Sequence, residues 1–197
     1  MVTLFLTAAR DIALPPGTRA LAYRPDRVRD PYLDDGAPPA FVAQLYFESL
    51  GALEAAAAQV AAAAHAEAME VHRFAVPEPW PRAPERYCTY LVAYEGPADD
   101  EAAWLAYYLE HHPPLMAKLP RIRELEIYTP IEWRCPPQLR RVRHLQRNKV
   151  AFDSAADLGA ALDSPVRREM RADFAQFPRH RGRVTHYAMT TQLVRHG

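Results

Sequence analysis

Two adjacent histidines in Tyr107-Tyr108-Leu109-Glu110-His111-His112-Pro113-Pro114-Leu115 are the side chains best suited to chemistry. An imidazole gives or takes a proton near neutral pH without help from a metal, so His112 is read as a general acid or base. A proline pair follows it directly, and proline both removes a helix donor and biases the residue before it out of the α region. The expected result is a helix that breaks at His112 and exposes the imidazole. The plainer alternative is a histidine that only satisfies the orphan carbonyls of that helix end. His111 is expected to face solvent or to contact substrate from the margin. His186 and Tyr187 alternate along a strand, so at most one of them faces a given pocket. His186 is taken as a substrate contact, against the alternative of a hydrogen-bonded core histidine. Trp104, Tyr107, Tyr108 and Trp133 could line a cavity for an aromatic ligand, although aromatic residues at helical spacing also serve as plain core.

Other chemistries find no support in the residue pattern. Cys88 and Cys135 are the two cysteines and lack metal-type spacing; His65 and His72, seven residues apart, are expected on different elements. There is no glycine-rich phosphate loop and no Gly-x-Ser-x-Gly elbow. No cofactor and no metal are therefore expected. Lys and Arg total 24 and Asp and Glu 24, so the formal net charge is zero. That balance argues against nucleic acid, and the cluster Arg140, Arg141, Arg143 and Arg147 reads as the solvated approach to a strand. No apolar run reaches the roughly 20 residues of a membrane span. Val2 to Ala9 is apolar without a basic region before it, which makes it a strand rather than a leader. The expected setting is cytoplasmic, with free thiols.

These side chains need elements to hold them. Tyr90 to Tyr94 is a β-rich run. Asp99, Asp100 and Glu101 provide an acidic first turn for a helix whose one face carries Trp104, Leu105, Tyr108, Leu109 and His112. A short helical turn is expected through Leu119, then a strand from Ile122 to Tyr128. Pro130 to Pro137 separates it from the next strand, Gln146 to Phe152. Ser154-Ala155-Ala156-Asp157 is a capping box for a helix to about Leu162. Ser164-Pro165 starts another, and Val184 to Val194 is the last strand. The order is β-α-β-β-α-β.

The front of the chain repeats part of this order. Leu45-Tyr46-Phe47-Glu48-Ser49 parallels Val150-Ala151-Phe152-Asp153-Ser154, with Leu53 and Leu158 at the same distance into the helices that follow. Val71-His72-Arg73-Phe74 parallels Thr185-His186-Tyr187-Ala188. No room exists for a first helix between Val2–Ala9 and Thr18–Arg24, so the front copy is trimmed. Residues 25–39, rich in proline and aspartate, read as a surface excursion or loop, and the stretch from Pro77 to Pro84 as a linker. The expected division is residues 1–77, a linker at 78–87, and residues 88–197. The class is α+β: two ferredoxin-like units, the first trimmed and the second complete, whose sheets pack face to face and close a barrel within one chain.

The stretch from Tyr107 to Leu115, with Lys118-Leu119-Pro120 and the strand from Ile122, resembles the EthD family of the dimeric α/β-barrel superfamily. Phe152-Asp153-Ser154 with Leu158 and Pro165 resembles that family's third strand and second helix. The resemblance covers residues 88 to 195 well and the first 80 weakly. It implies a pocket between sheet and helices for a small hydrophobic, oxygenated or aromatic molecule, with His112 matching the family's histidine. It also implies cofactor-free lyase or isomerase chemistry, of the dehydratase, decarboxylase or lactone isomerase type. The alternatives are a cofactor-independent monooxygenase and a non-catalytic binding or accessory protein. The sequence departs from the family at Leu125, where relatives often carry a tyrosine. Tyr128 could replace that tyrosine as a catalytic group only from the opposite face of the strand. Only the rear unit is expected to keep a pocket, and further assembly, as into a homodimer, is left open.

Overall fold

A computed structural model describes residues 1–28, 30–61 and 64–195. Nine strands and four helices follow in the order β1 (Val2–Ala8), β2 (Arg19–Pro25), β3 (Phe41–Phe47), α1 (Leu50–Ala58), β4 (His65–Phe74), β5 (Arg86–Glu95), α2 (Glu101–Met116), β6 (Glu124–Pro130), β7 (Arg140–Arg141), β8 (His144–Phe152), α3 (Ala155–Leu162), α4 (Pro165–Phe174) and β9 (Val184–Arg195). All strands but the two-residue β7 join one antiparallel sheet in the order β1-β3-β2-β9-β5-β8-β6-β4. Pairing of β1 with β4, from Val2↔Glu70 to Thr7↔His65, closes that sheet into an eight-stranded barrel. The rear strands stand as β9-β5-β8-β6 and the front strands as β4-β1-β3-β2, so the two sets have the same spatial order.

Alternation sorts the side chains of each barrel strand between two environments. Phe5, Tyr23, Met69, Leu91, Tyr128 and Met189 meet inside the barrel. The outer face of the rear strands carries Tyr90, Val92, Tyr94, Leu125, Ile127 and Val150, which pack under α2, α3 and α4. On the outer front face Leu4, Ala20, Ala43 and Ala66 pack with Leu53 and Ala57 of α1. Residues 9–18 join β1 to β2 without a helix. The front sheet is covered there by Leu14 of that connection and by Trp133 and Leu139 of the β6–β8 connection, all in one apolar cluster.

Several local expectations are corrected. Helix α2 does not break at His112; it runs through Pro113 and Pro114 to Met116. Proline leaves the carbonyls of Leu109 and Glu110 without their usual donors. Yet its fixed φ is itself helical, and burial of His112, Pro113 and Met116 on one face holds the turn in place. Glu110 and Pro114 are exposed, so water can serve the freed carbonyl there. The second correction concerns residues 25–39. They are a loop, but not only a surface one, because Leu33 reaches the rear helices and Asp30 is buried on Arg167. The third is that His65 and His72 share a single strand, His65–Phe74. Ser154 Oγ caps α3 as read, accepting from the Asp157 N–H, whereas Ser164 stands before Pro165 at the start of α4 but donates its hydroxyl to the Ala161 carbonyl instead of capping.

Candidate functional site

A hollow of about 360 Å³ lies between the outer face of the rear sheet and helices α2, α3 and α4. Strand register builds its floor. His186 on β9, Val92 on β5 and Asn148 on β8 are directly cross-paired and form one row. Tyr90 and Val150 form the next row towards Leu125. The helices supply Met116, Leu158, Leu162, Met170 and Phe174, so the walls are mostly apolar, and Leu33 of the β2–β3 loop reaches in from the front half.

His112 enters from the α2 side and is 5% exposed. Its Nδ1 stands 2.7 Å from Asp173 Oδ2 on α4. A carboxylate only accepts, so Nδ1 carries the proton and Nε2 keeps a lone pair. Tyr107 donates to the other oxygen of Asp173 at 3.2 Å. Burial holds the His112 pKa below the ordinary 6.5; Asp173 opposes that shift, and the Arg167 and His186 charges add to it. A neutral base is the outcome.

His186 repeats the arrangement from the sheet side. Its Nδ1 and its backbone N–H both lie 2.8 Å from Asp35 Oδ2 on the loop. Burial lowers its pKa too, again against the pull of its aspartate. Beside it, Tyr90 donates to Asp30 at 2.5 Å and Arg167 to the same oxygen at 3.1 Å. Burial would raise the Asp30 pKa, but these donors and the Tyr32 N–H outweigh it and leave the carboxyl below its usual range. Asn148 donates to the Tyr108 hydroxyl at 2.8 Å. Its Oδ1 and the Arg167 Nε are buried without partners among the described residues. Such atoms cost stability unless a ligand or water meets them.

His112 and His186 therefore share the hollow, and the other sequence candidates stand apart from its lining. Trp104 and Tyr108 lie behind it, stacked at 5.3 Å in the rear core. His111 is exposed and stacks on Tyr107 at 4.2 Å. Tyr128 points into the barrel, fully buried, and donates to Glu126 at 2.7 Å, as the alternation from Ile127 requires. Trp133 fills the front sheet's outer face instead of a cavity. Asp173, Asp35, Asp30, Arg167, Tyr90 and Asn148 were not singled out by sequence. The alternation of Tyr90, Val92 and Tyr94 was a usable signal; the acids and Arg167 offered none that was local. The thiols are free, and burial pushes that of Cys88 up to about 12, far from nucleophilic use. Among the described residues no group of three or more His, Cys, Asp or Glu could hold a metal ion, and no helix is long and apolar enough to cross a membrane.

No family model matches the chain, and no curated protein sequence matches it. Solved structures do. An anthrone oxidase-like protein superposes with a TM-score of 0.60 at 13% identity, over 98% of this chain and 90% of the other. A proposed monooxygenase from Lactobacillus acidophilus NCFM gives 0.54 at 10% identity, over 100% and 96%. Another from Fusobacterium nucleatum subsp. nucleatum gives 0.52 at 6% identity, over 98% and 92%. At such identities the likeness is one of fold: an α+β antiparallel barrel with helices on its outer face, spanning essentially the whole chain.

Proposed function

We propose that the hollow is an active site in which His112, held by Asp173, takes a proton from a small, largely apolar oxygenated or aromatic compound, and that the resulting anion reacts with dioxygen. The protein is then a cofactor-independent monooxygenase. One observation carries this reading: a buried, neutral imidazole whose Nδ1 is fixed on a carboxylate 2.7 Å away while Nε2 has no partner among the described residues. The apolar walls favour delocalised anions over small hydrophilic ones, and they exclude bulk water that would reprotonate the anion. The names of the fold neighbours favour oxygenation as the fate of that anion. The substrate supplies the electrons: a methylene and O₂ give a carbonyl and water.

The second reading is a lyase or isomerase, and the observation in its favour is the second imidazole, His186, which could return a proton at another atom. The third, a non-catalytic binding protein, draws on the loss of a first helix in the front half. The equal strand order of the two halves supports two fused ferredoxin-like units, residues 1–77 and 88–197 about the 78–87 segment. In this reading the molecule bound in the hollow is the small substrate.

Oxygen uptake with anthrone and with simple phenols as test compounds checks the proposal. Wild-type protein should consume oxygen with at least one of them. His112→Gln should lower that rate by roughly a hundredfold with an unchanged circular dichroism spectrum. Unchanged turnover would remove His112 from the mechanism. Conversion that proceeds equally without oxygen would point to the lyase or isomerase, and tight binding with no conversion to a binding protein.

A further inference from the structure

We propose that the β2–β3 loop of the front half is part of the active site: its Asp35 is a positioning residue that holds His186 as a second proton-transferring group facing the same substrate as His112. The inference rests on the reading of the hollow as an active site and adds to it a second catalytic residue.

The geometry is specific. Asp35 Oδ2 takes both the backbone N–H and the Nδ1–H of His186, each at 2.8 Å. The carbonyl of Asp35 accepts from the Arg183 guanidinium, which pins the loop from the far side. Five residues earlier Asp30 accepts from Tyr90 and Arg167. Both acids thus end on groups that line the hollow, His186 and Tyr90 on the sheet side and Arg167 on α4. A lid that needed only to stay shut would be held at less cost by apolar contacts such as that of Leu33, because a buried carboxylate pays a desolvation penalty. The loop instead commits two carboxylates to orientation, the shielded Asp30 and the partly buried Asp35. With Nδ1 committed to Asp35, His186 Nε2 has no protein partner among the described residues, and the ring shares the cavity lining with His112. The two imidazoles come from different walls, one on a helix and one on a strand.

The reaction has work for two bases. His112 Nε2 takes the first proton from the substrate methylene, and the carbanion adds O₂ to give a peroxide anion. The His112 imidazolium returns its proton to the terminal oxygen, forming a hydroperoxide. The second C–H proton must then leave: its electron pair forms the C=O bond while the O–O pair departs on hydroxide. His186 Nε2 is placed to take that proton and give it to the hydroxide, yielding water. The sum is CH₂ + O₂ → C=O + H₂O, with both imidazoles restored. The compound that fits is an aromatic molecule with an acidic C–H or O–H at one position and an oxygen substituent at another, within reach of Arg167 and Tyr90.

Protein labelled with ¹⁵N at histidine tests this by NMR, with 1-naphthol as the probe and naphthalene as its apolar control. Wild type should show the Nδ1–H tautomer at both residues, and 1-naphthol should shift both Nε2 signals where naphthalene shifts neither. Asp35→Asn can donate as well as accept, so His186 should lose its fixed tautomer while His112 keeps it. On a compound that supports oxygen uptake, Asp35→Asn should lower kcat about tenfold or more with KM little changed, and Asp35→Glu should restore part of the loss. A 1-naphthol shift confined to His112, or a His186 tautomer and a kcat indifferent to Asp35→Asn, would overturn the proposal and leave the His112 reading standing. Indifference of both imidazoles to 1-naphthol would sink both together.

Discussion

His112 and His186 are each fixed through Nδ1 by an aspartate from another part of the chain, and burial lowers both pKa values from 6.5. The active base is the neutral ring. Turnover should therefore rise as pH increases through a midpoint below 6.5 and stay level from there to neutrality. Because Asp173 raises the His112 pKa against burial, Asp173→Asn should move that midpoint to still lower pH; a midpoint at or above 6.5 in wild type would count against His112 as the base. The histidine at position 112 was legible because its neighbours in sequence set its helix face. Its aspartate lies 61 residues away, and that of His186 lies 151 away. Only the folded chain brings such partners together, so their types carried no local signal. Inside the barrel, Lys149 Nζ rests 2.9 Å from Glu126 and from Glu124. Glu126→Gln leaves that ammonium with one carboxylate less, and urea unfolding should show a loss of about 3 kcal/mol.

Helix α2 shows how a local rule yields to packing. Propensity reads Pro113-Pro114 as a stop, but the buried stripe of Trp104, Tyr108, His112 and Met116 carries the helix on. The interruption survives as two missing hydrogen bonds. Pro114 is exposed, so Pro114→Ala should restore a bond at little packing cost and stabilise the protein by about 1–2 kcal/mol in urea. The strands were read more surely than the loops. Period-two alternation placed Leu125 and Ile127 opposite Tyr128, and the structure divides them between the rear core and the barrel interior. The segments read as punctuation, residues 25–39 and 130–137, gave no such pattern. Each crosses to the other half: Leu33 closes the rear hollow, and Trp133 covers the front sheet where a helix is missing. A lone tryptophan or leucine between prolines does not say which surface it will meet.

The barrel as a whole holds acids that are ionised at a cost. Burial pushes the Glu67 carboxyl up, but Arg147 and His144 overcome it and bring the pKa from 4.5 to about 2. For Glu126 burial is likewise outweighed, chiefly by Lys149, with the pKa again at about 2. The unfolded chain binds more protons than the folded one between those values. Their contribution is thus complete above pH 4.5 and lost as pH falls toward 2, on the order of 3 kcal/mol for each group. Urea midpoints measured at falling pH should drop through that window, and a flat response would show that neither carboxylate is held low. A closed barrel was expected, but that β1 joins β4 and β2 joins β9 could not be read from sequence, since strand patterns fix faces and not neighbours. Closure within one chain has a genetic consequence. In a barrel assembled from two copies of one polypeptide, every substitution is made twice and both cavities drift together. Here one polypeptide supplies all eight staves, so mutation could plug one side with an indole while leaving the other side hollow.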